Sequence, residues 1–165
     1  LPWLLIGLFG GILGAQVIEA YEGQIKIHPE MAFFIPLIAA MGGNAGVQSS
    51  AIIVQGLANN TITNSDLWGK LGKELAIAII NGLVCSALLM GYGFVSGNHL
   101  DIMITVMLAL RSVILMAAVI GTVVPLALDR LKIDPALATG PFITTSNDIF
   151  GILIYLYIAK MVLSI

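Results

Sequence analysis

The sequence predicts an all-α membrane protein with five transmembrane helices, and three observations carry that prediction. Of its 165 residues, 59% are apolar and only 10% are charged, a composition far from that of soluble domains. Apolar runs long enough to cross a hydrocarbon core of about 30 Å recur along the chain, separated by short polar segments. One carboxylate, Asp148, stands inside the last run, where an ionised acid costs about 2.5–3.5 kcal/mol unless water or a partner reaches it. A residue kept at that cost marks function. The formal net charge of −2 argues against a nucleic-acid partner. The single cysteine, Cys85, lies in an apolar run and allows no internal disulfide. The first run has no basic leader and is too long for a cleaved signal peptide. The chain is already in membrane-type sequence at Leu1–Pro2–Trp3, which suggests a membrane domain excised from a protein with a further soluble part.

The first span is expected over about residues 2–21. Gly7/Gly11 and Gly10/Gly14 form two overlapping small-xxx-small pairs that let another helix backbone approach closely, either as generic packing or as a subunit contact. A polar loop over 22–30 leads to the second span, about 31–59, longer than a straight crossing requires. Its centre reads MGGNAGVQSS: the glycines weaken the helix by about 1 kcal/mol each relative to Ala. Asn44 and Gln48, four residues apart, share one face. Amides beside glycines at mid-membrane suggest a helix lining a wet cavity, with bundle glue as the alternative. Residues 60–74 are polar, and Leu67, Trp68 and Leu71 fall on one side, which predicts a short helix on the membrane surface.

The third span follows over about 75–96 and carries Asn81. The fourth, about 102–128, is expected to bend near Gly121 and Pro125 and holds Arg111 near mid-depth. The fifth, about 136–162, starts behind Asp134–Pro135, an N-cap acid followed by proline. Within it Gly140, Thr144 and Asp148 recur at i, i+4 and i+8 and share a face, and Pro141 has no N–H to offer the carbonyl of Leu137. Five crossings put the termini on opposite sides. Lys70, Lys73, Arg130 and Lys132 outnumber Lys26 and Lys160, which places residues 60–74, 129–135 and the N-terminus in the cytoplasm of a plasma (inner) membrane protein.

The oxygen donors at hand suit hard cations such as Mg²⁺, Ca²⁺ or Mn²⁺, and no Cys/His cluster suits zinc or copper. One carboxylate per protomer is too little charge for a divalent ion, so a two-fold dimer pairing Asp148 with its mate is attractive. Mg²⁺ sheds water reluctantly and is best held hydrated there. Two other readings of Asp148 stay open: an ion pair with Arg111, or a proton carrier. His28 and His99 fall in external loops as solvated surface. With both histidines outside the membrane and one membrane aspartate, neither a serine nor an aspartyl membrane protease can be assembled, and the chain is not expected to be an enzyme.

PLIAAMGGNAGVQSSAIIVQGLA (36–58) and VVPLALDRLKIDPALATGPFITTSNDIFGILIYLYIA (123–159), with the five-span layout, resemble the membrane domain of the MgtE family of magnesium channels. The resemblance covers essentially the whole chain. It implies a homodimer in the lipid bilayer with a central pore on the two-fold axis, lined by the second and fifth helices. Asn44, Gln48, Gly140, Thr145 and Gly151 would lie along that pore. It further implies hydrated Mg²⁺ at Asp148 with help from the backbone carbonyl of Thr144, and Mg²⁺-dependent closure near Asp134. Cytoplasmic CBS-type regulatory domains would sense internal Mg²⁺ and are absent from these residues. Val47 and Gln55 stand where many members have Asn and Arg. Gly140 stands where some have Asn, predicting a wider, less polar entrance. The function implied is passive Mg²⁺ conduction. The runners-up are a proton-coupled divalent-cation transporter and a non-conducting membrane assembly subunit.

Overall fold

The computed structural model describes residues 1–62, 67–138 and 140–164. Among these residues six α-helices follow one another: α1 (Pro2–Ala20), α2 (Glu22–Ile27), α3 (Ile35–Ala58), α4 (Leu67–Ser96), α5 (Leu100–Arg130) and α6 (Pro141–Val162). There is no strand among the described residues. Five segments are long and apolar enough to cross a membrane: Pro2–Ala20, Pro29–Ala58, Trp68–Ser96, Leu100–Arg130 and Pro141–Val162. The protein is therefore a membrane protein of the expected class.

The centre of the bundle is α5, which packs against α3, α4 and α6. Its sequence explains that place: Val106, Ala109, Leu110, Val113, Ala117 and Leu126 are buried along it, so it is apolar on nearly every side. The outer helices differ. On α1 only Gly10 and Gly14 are buried, and on α4 large side chains such as Leu88 and Phe94 face outward, as lipid-facing residues do. Tyr155, fully buried on α6, donates its hydroxyl to the carbonyl of Met31 at 2.9 Å. That bond ties the end of the bundle together and gives a buried phenol the partner it needs.

Several boundaries differ from those expected. The loop 22–30 contains a short helix, α2, stapled by Lys26–Glu22 at 2.8 Å. A 3-10 turn over Pro29–Phe34 then delays α3 until Ile35, because Pro29 and Pro36 both limit the backbone. Among the described residues no separate surface helix precedes the third span: Leu67–Ser96 is one helix. Trp68 remains 78% exposed at its start, whereas Asp66 lies outside the described residues. α5 continues unbroken through Gly121 and Pro125.

The last span also starts later than expected. Asp134–Pro135 opens only a 3-10 turn, Pro135–Ala138, in which the Asp134 carboxylate accepts from the N–H of Ala136 at 2.9 Å. The long helix begins at Pro141, behind Gly140 at φ +77° and ψ −135°. That conformation belongs to glycine, so Gly140 is a hinge between two helical pieces rather than a member of the α6 face. Leu137 precedes that break, so its carbonyl is not an α6 carbonyl left open by Pro141.

Candidate functional site

Asp148 sits half-buried on α6 where that helix meets α3 and α1. A Cβ placed on Gly43 of α3 would lie 3.6 Å from Oδ1 of Asp148, in ordinary van der Waals contact, so the α3 backbone runs directly beside the acid. On its other side a groove of about 320 Å³ is lined by Gly7, Gly10, Gly11 and Gly14 of α1, together with Thr145 and Asp148. The two glycine pairs of α1 thus divide their work. Gly10 receives the Thr145 side chain and Gly14 faces Ile152, binding α1 to α6, while no heavy atom lies within 4 Å of where a Cβ on Gly7 or Gly11 would be.

Thr144 lies one helical turn before Asp148, with its hydroxyl turned back onto the carbonyl of Gly140 at 3.3 Å. Asn44 and Gln48 are both exposed, in register with Ala40, Ala51, Gln55 and Ala58. These six positions form one continuous outward stripe along α3, spaced by three and four residues. Unlike α1 and α4, this surface offers amides and small residues where lipid would want large apolar ones. Gly151 is placed elsewhere: it is buried against Val113 of α5 and Ile38 of α3. Asp134 is exposed at the turn before α6.

Arg111 does not reach Asp148. Its Nε donates to the hydroxyl of Ser86 on α4 at 3.1 Å, and that hydroxyl donates to the carbonyl of Met107 at 3.4 Å. The cation therefore belongs to the α4–α5 seam, whereas the acid belongs to the α1–α3–α6 junction. Arg111→Met is expected to cost about 1.5–3 kcal/mol, the worth of one charged hydrogen bond. Adding Asp148→Asn should rescue none of it, since distant sites add within about 0.5 kcal/mol. Thermal unfolding of both single variants and the double variant measures this, and a rescue would mean the two groups are coupled.

Two residues escaped the sequence reading. Asn147 is fully buried beside Asp148, and neither its Oδ1 nor its Nδ2 has a hydrogen-bond partner. It faces Gly46 and Gly42 of α3. Glu74, in the stretch expected to form a surface helix, is only 7% exposed and accepts a 2.8 Å hydrogen bond from Ser49. The signal for it was present: Glu74, Ala78, Gly82 and Ser86 repeat every four residues as a small, polar face within an apolar run. His28 and Glu30 pair at 3.3 Å and share a pocket with His99 and Asp101. No three His, Cys, Asp or Glu side chains converge to hold a metal ion directly among the described residues.

Comparison with known proteins gives this arrangement a context. Residues 35–158 match the family model MgtE, described as a divalent cation transporter. The chain is similar to proteins named magnesium transporter MgtE from three bacteria. It is 35% identical to that of Bacillus subtilis (strain 168) over 159 residues, covering 96% of this chain and 35% of the relative. It is 31% identical to that of Thermus thermophilus over 161 residues, covering 98% of this chain and 36% of the relative. The Enterococcus faecalis protein is 35% identical, with the same coverage. The chain spans about a third of the length of these relatives. A half-buried acid beside a glycine of α3, five spanning segments among the described residues and a family match over residues 35–158 lead to one conclusion: the chain belongs to the MgtE family of divalent cation transporters.

Proposed function

We propose that the chain forms the conducting part of a passive Mg²⁺ channel. Two copies meet about a two-fold axis, and the α3 stripe and the Asp148 face of α6 line the path between them. The observation that carries this reading is the stripe Ala40, Asn44, Gln48, Ala51, Gln55 and Ala58, exposed on the protomer with Asp148 beside it across Gly43. Amides in lipid leave polar groups without partners, at a cost of several kcal/mol each. Against a second copy and a column of water they are satisfied. Paired across the axis, two Asp148 carboxylates supply the double negative charge that matches a dication. The intervening water lets Mg²⁺ keep its hydration shell. The relatives' name and the hard oxygen donors favour Mg²⁺ as cargo, with Mn²⁺ or Ca²⁺ as competitors at the same site. Passage is down the electrochemical gradient into the cytoplasm across the plasma membrane, with α1 starting on the cytoplasmic side. Asp134 stands at the cytoplasmic mouth, and CBS-type domains of the full-length protein would act there to close it.

Aqueous accessibility tests this reading. In a Cys85→Ser background, single cysteines replace Gln48, Gln55 and, as a lipid-facing reference on α4, Leu88. A charged thiol reagent is expected to modify positions 48 and 55 and to block Mg²⁺ flux into liposomes, while position 88 stays unreactive. Protection of positions 48 and 55 to the level of position 88 would mean the stripe is dry, and the pore reading fails.

A further inference from the structure

A second acid lies within the bundle, away from Asp148, and nothing in the pore reading uses it. Glu74 on α4 points between α3 and α5 into a cavity of about 220 Å³, whose polar lining is Gln48 and Ser49 of α3 and Asn81 of α4. The rest is apolar, with Ile77, Ile114 and Ala118 among the walls. Glu74 is 7% exposed and Ser49 is 6% exposed, so the pair joined at 2.8 Å is part of the protein interior. Among the described residues no Lys, Arg or His lies within ion-pair distance of Glu74. Lys70 and Lys73 precede it on α4 without reaching it. Arg111, one turn from Ile114 on α5, directs its Nε to Ser86.

A buried carboxylate without a counter-charge is costly, and ordinarily a cation answers it. From the cavity we infer that Glu74, Ser49, Gln48 and Asn81 form a binding site for a small monovalent cation, of which Na⁺ is the type. Charge decides the valence. One carboxylate and three uncharged side chains balance one positive charge, whereas a dication would leave an uncompensated charge in a low-dielectric setting. Donor chemistry decides the class, since carboxylate, hydroxyl and amide carbonyl oxygens are hard ligands that favour alkali and alkaline-earth ions over soft metals. Size permits it: at about 30 Å³ per water, the space takes roughly seven water volumes, enough for an ion with part of its shell. Gln48 also belongs to the exposed α3 stripe, so the cavity borders the surface from which an ion would enter. The bound ion would hold α4 to α3, and the site stands whether or not that stripe lines a pore.

The test uses the detergent-solubilised protein dialysed into choline chloride. NaCl, KCl or MgCl₂ is then exchanged in at constant ionic strength, and the melting temperature is followed together with the ²³Na NMR linewidth. NaCl is expected to raise the melting temperature by roughly 3–6 °C at ten times its half-saturating concentration and to broaden the ²³Na signal. Glu74→Gln keeps an oxygen for the Ser49 hydroxyl. It is expected to melt in choline no lower than the parent, with neither the NaCl shift nor the broadening. The inference is overturned if the parent gives no Na⁺ response, or if Glu74→Gln responds as the parent does. A Glu74-dependent shift produced by MgCl₂ and not by NaCl overturns the monovalent assignment.

Discussion

Replacing Asp148 by Asn is expected to cut Mg²⁺ flux about thirtyfold or more while leaving the protein folded. At an effective dielectric near 20, a carboxylate about 5 Å from a dication, with one water between, contributes on the order of 6 kcal/mol. If hydration consumes two thirds of that, the remaining ~2 kcal/mol still corresponds to about a thirtyfold loss of occupancy at the site. Asn keeps the volume and polarity of the side chain beside Gly43, so the packing of α3 on α6 is retained. Stability should hold or rise, because an acid that costs about 2.5–3.5 kcal/mol at mid-membrane becomes neutral. The measurements are Mg²⁺ uptake into liposomes and thermal unfolding of the same preparation. Unchanged uptake would favour an assembly subunit in which the polar residues serve packing alone. A loss of both uptake and fold would make Asp148 a structural group.

The largest effect on stability is expected at Gly46. This glycine lies where three helices cross: a Cβ there would collide with Nδ2 of Asn147 on α6 and come within 2.9 Å of Cγ2 of Ile143. Opposite, Gly121 of α5 lies so near that its own Cβ would meet the Gly46 carbonyl. Neither side offers room, since Asn147 and Ile143 are fully buried. Gly46→Val is expected to lose about 3 kcal/mol or more, at the upper end of overpacking costs, read as loss of monodisperse protein and a lowered melting temperature. Gly46→Ala should be milder and partly rescued by Asn147→Ala, which removes the colliding amide. Because that amide has no hydrogen-bond partner, the second change leaves no orphaned group on α3, and the coupling between the two changes should exceed 0.5 kcal/mol. Simple additivity would mean that the α3–α6 crossing relaxes in some other way.

Much of the architecture was legible before any coordinates. Bilayer crossing demands long apolar helices, and composition alone exposes them, so the five spans were placed, with starts displaced where Pro29, Pro36 and Gly140 intervene and where α4 extends back to Leu67. Asp148 was also legible, because a carboxylate inside an apolar run stands out whatever surrounds it. The Asn44–Gln48 face was readable from spacing, which the α-helix converts directly into a common side. What the tertiary structure alone decided was which helix each of these faces meets. Gly10 and Gly14, not Gly7 and Gly11, close on α6; Arg111 turns to Ser86 instead of Asp148; Gly151 is spent on packing against Val113. Glu74, in the stretch expected as a surface helix, lies buried beside Ser49. The reason is physical. A helix sets the side of a residue through local hydrogen bonds, but whether that side meets lipid, water or another helix depends on partners distant in sequence. A single run of letters carries no term for that meeting.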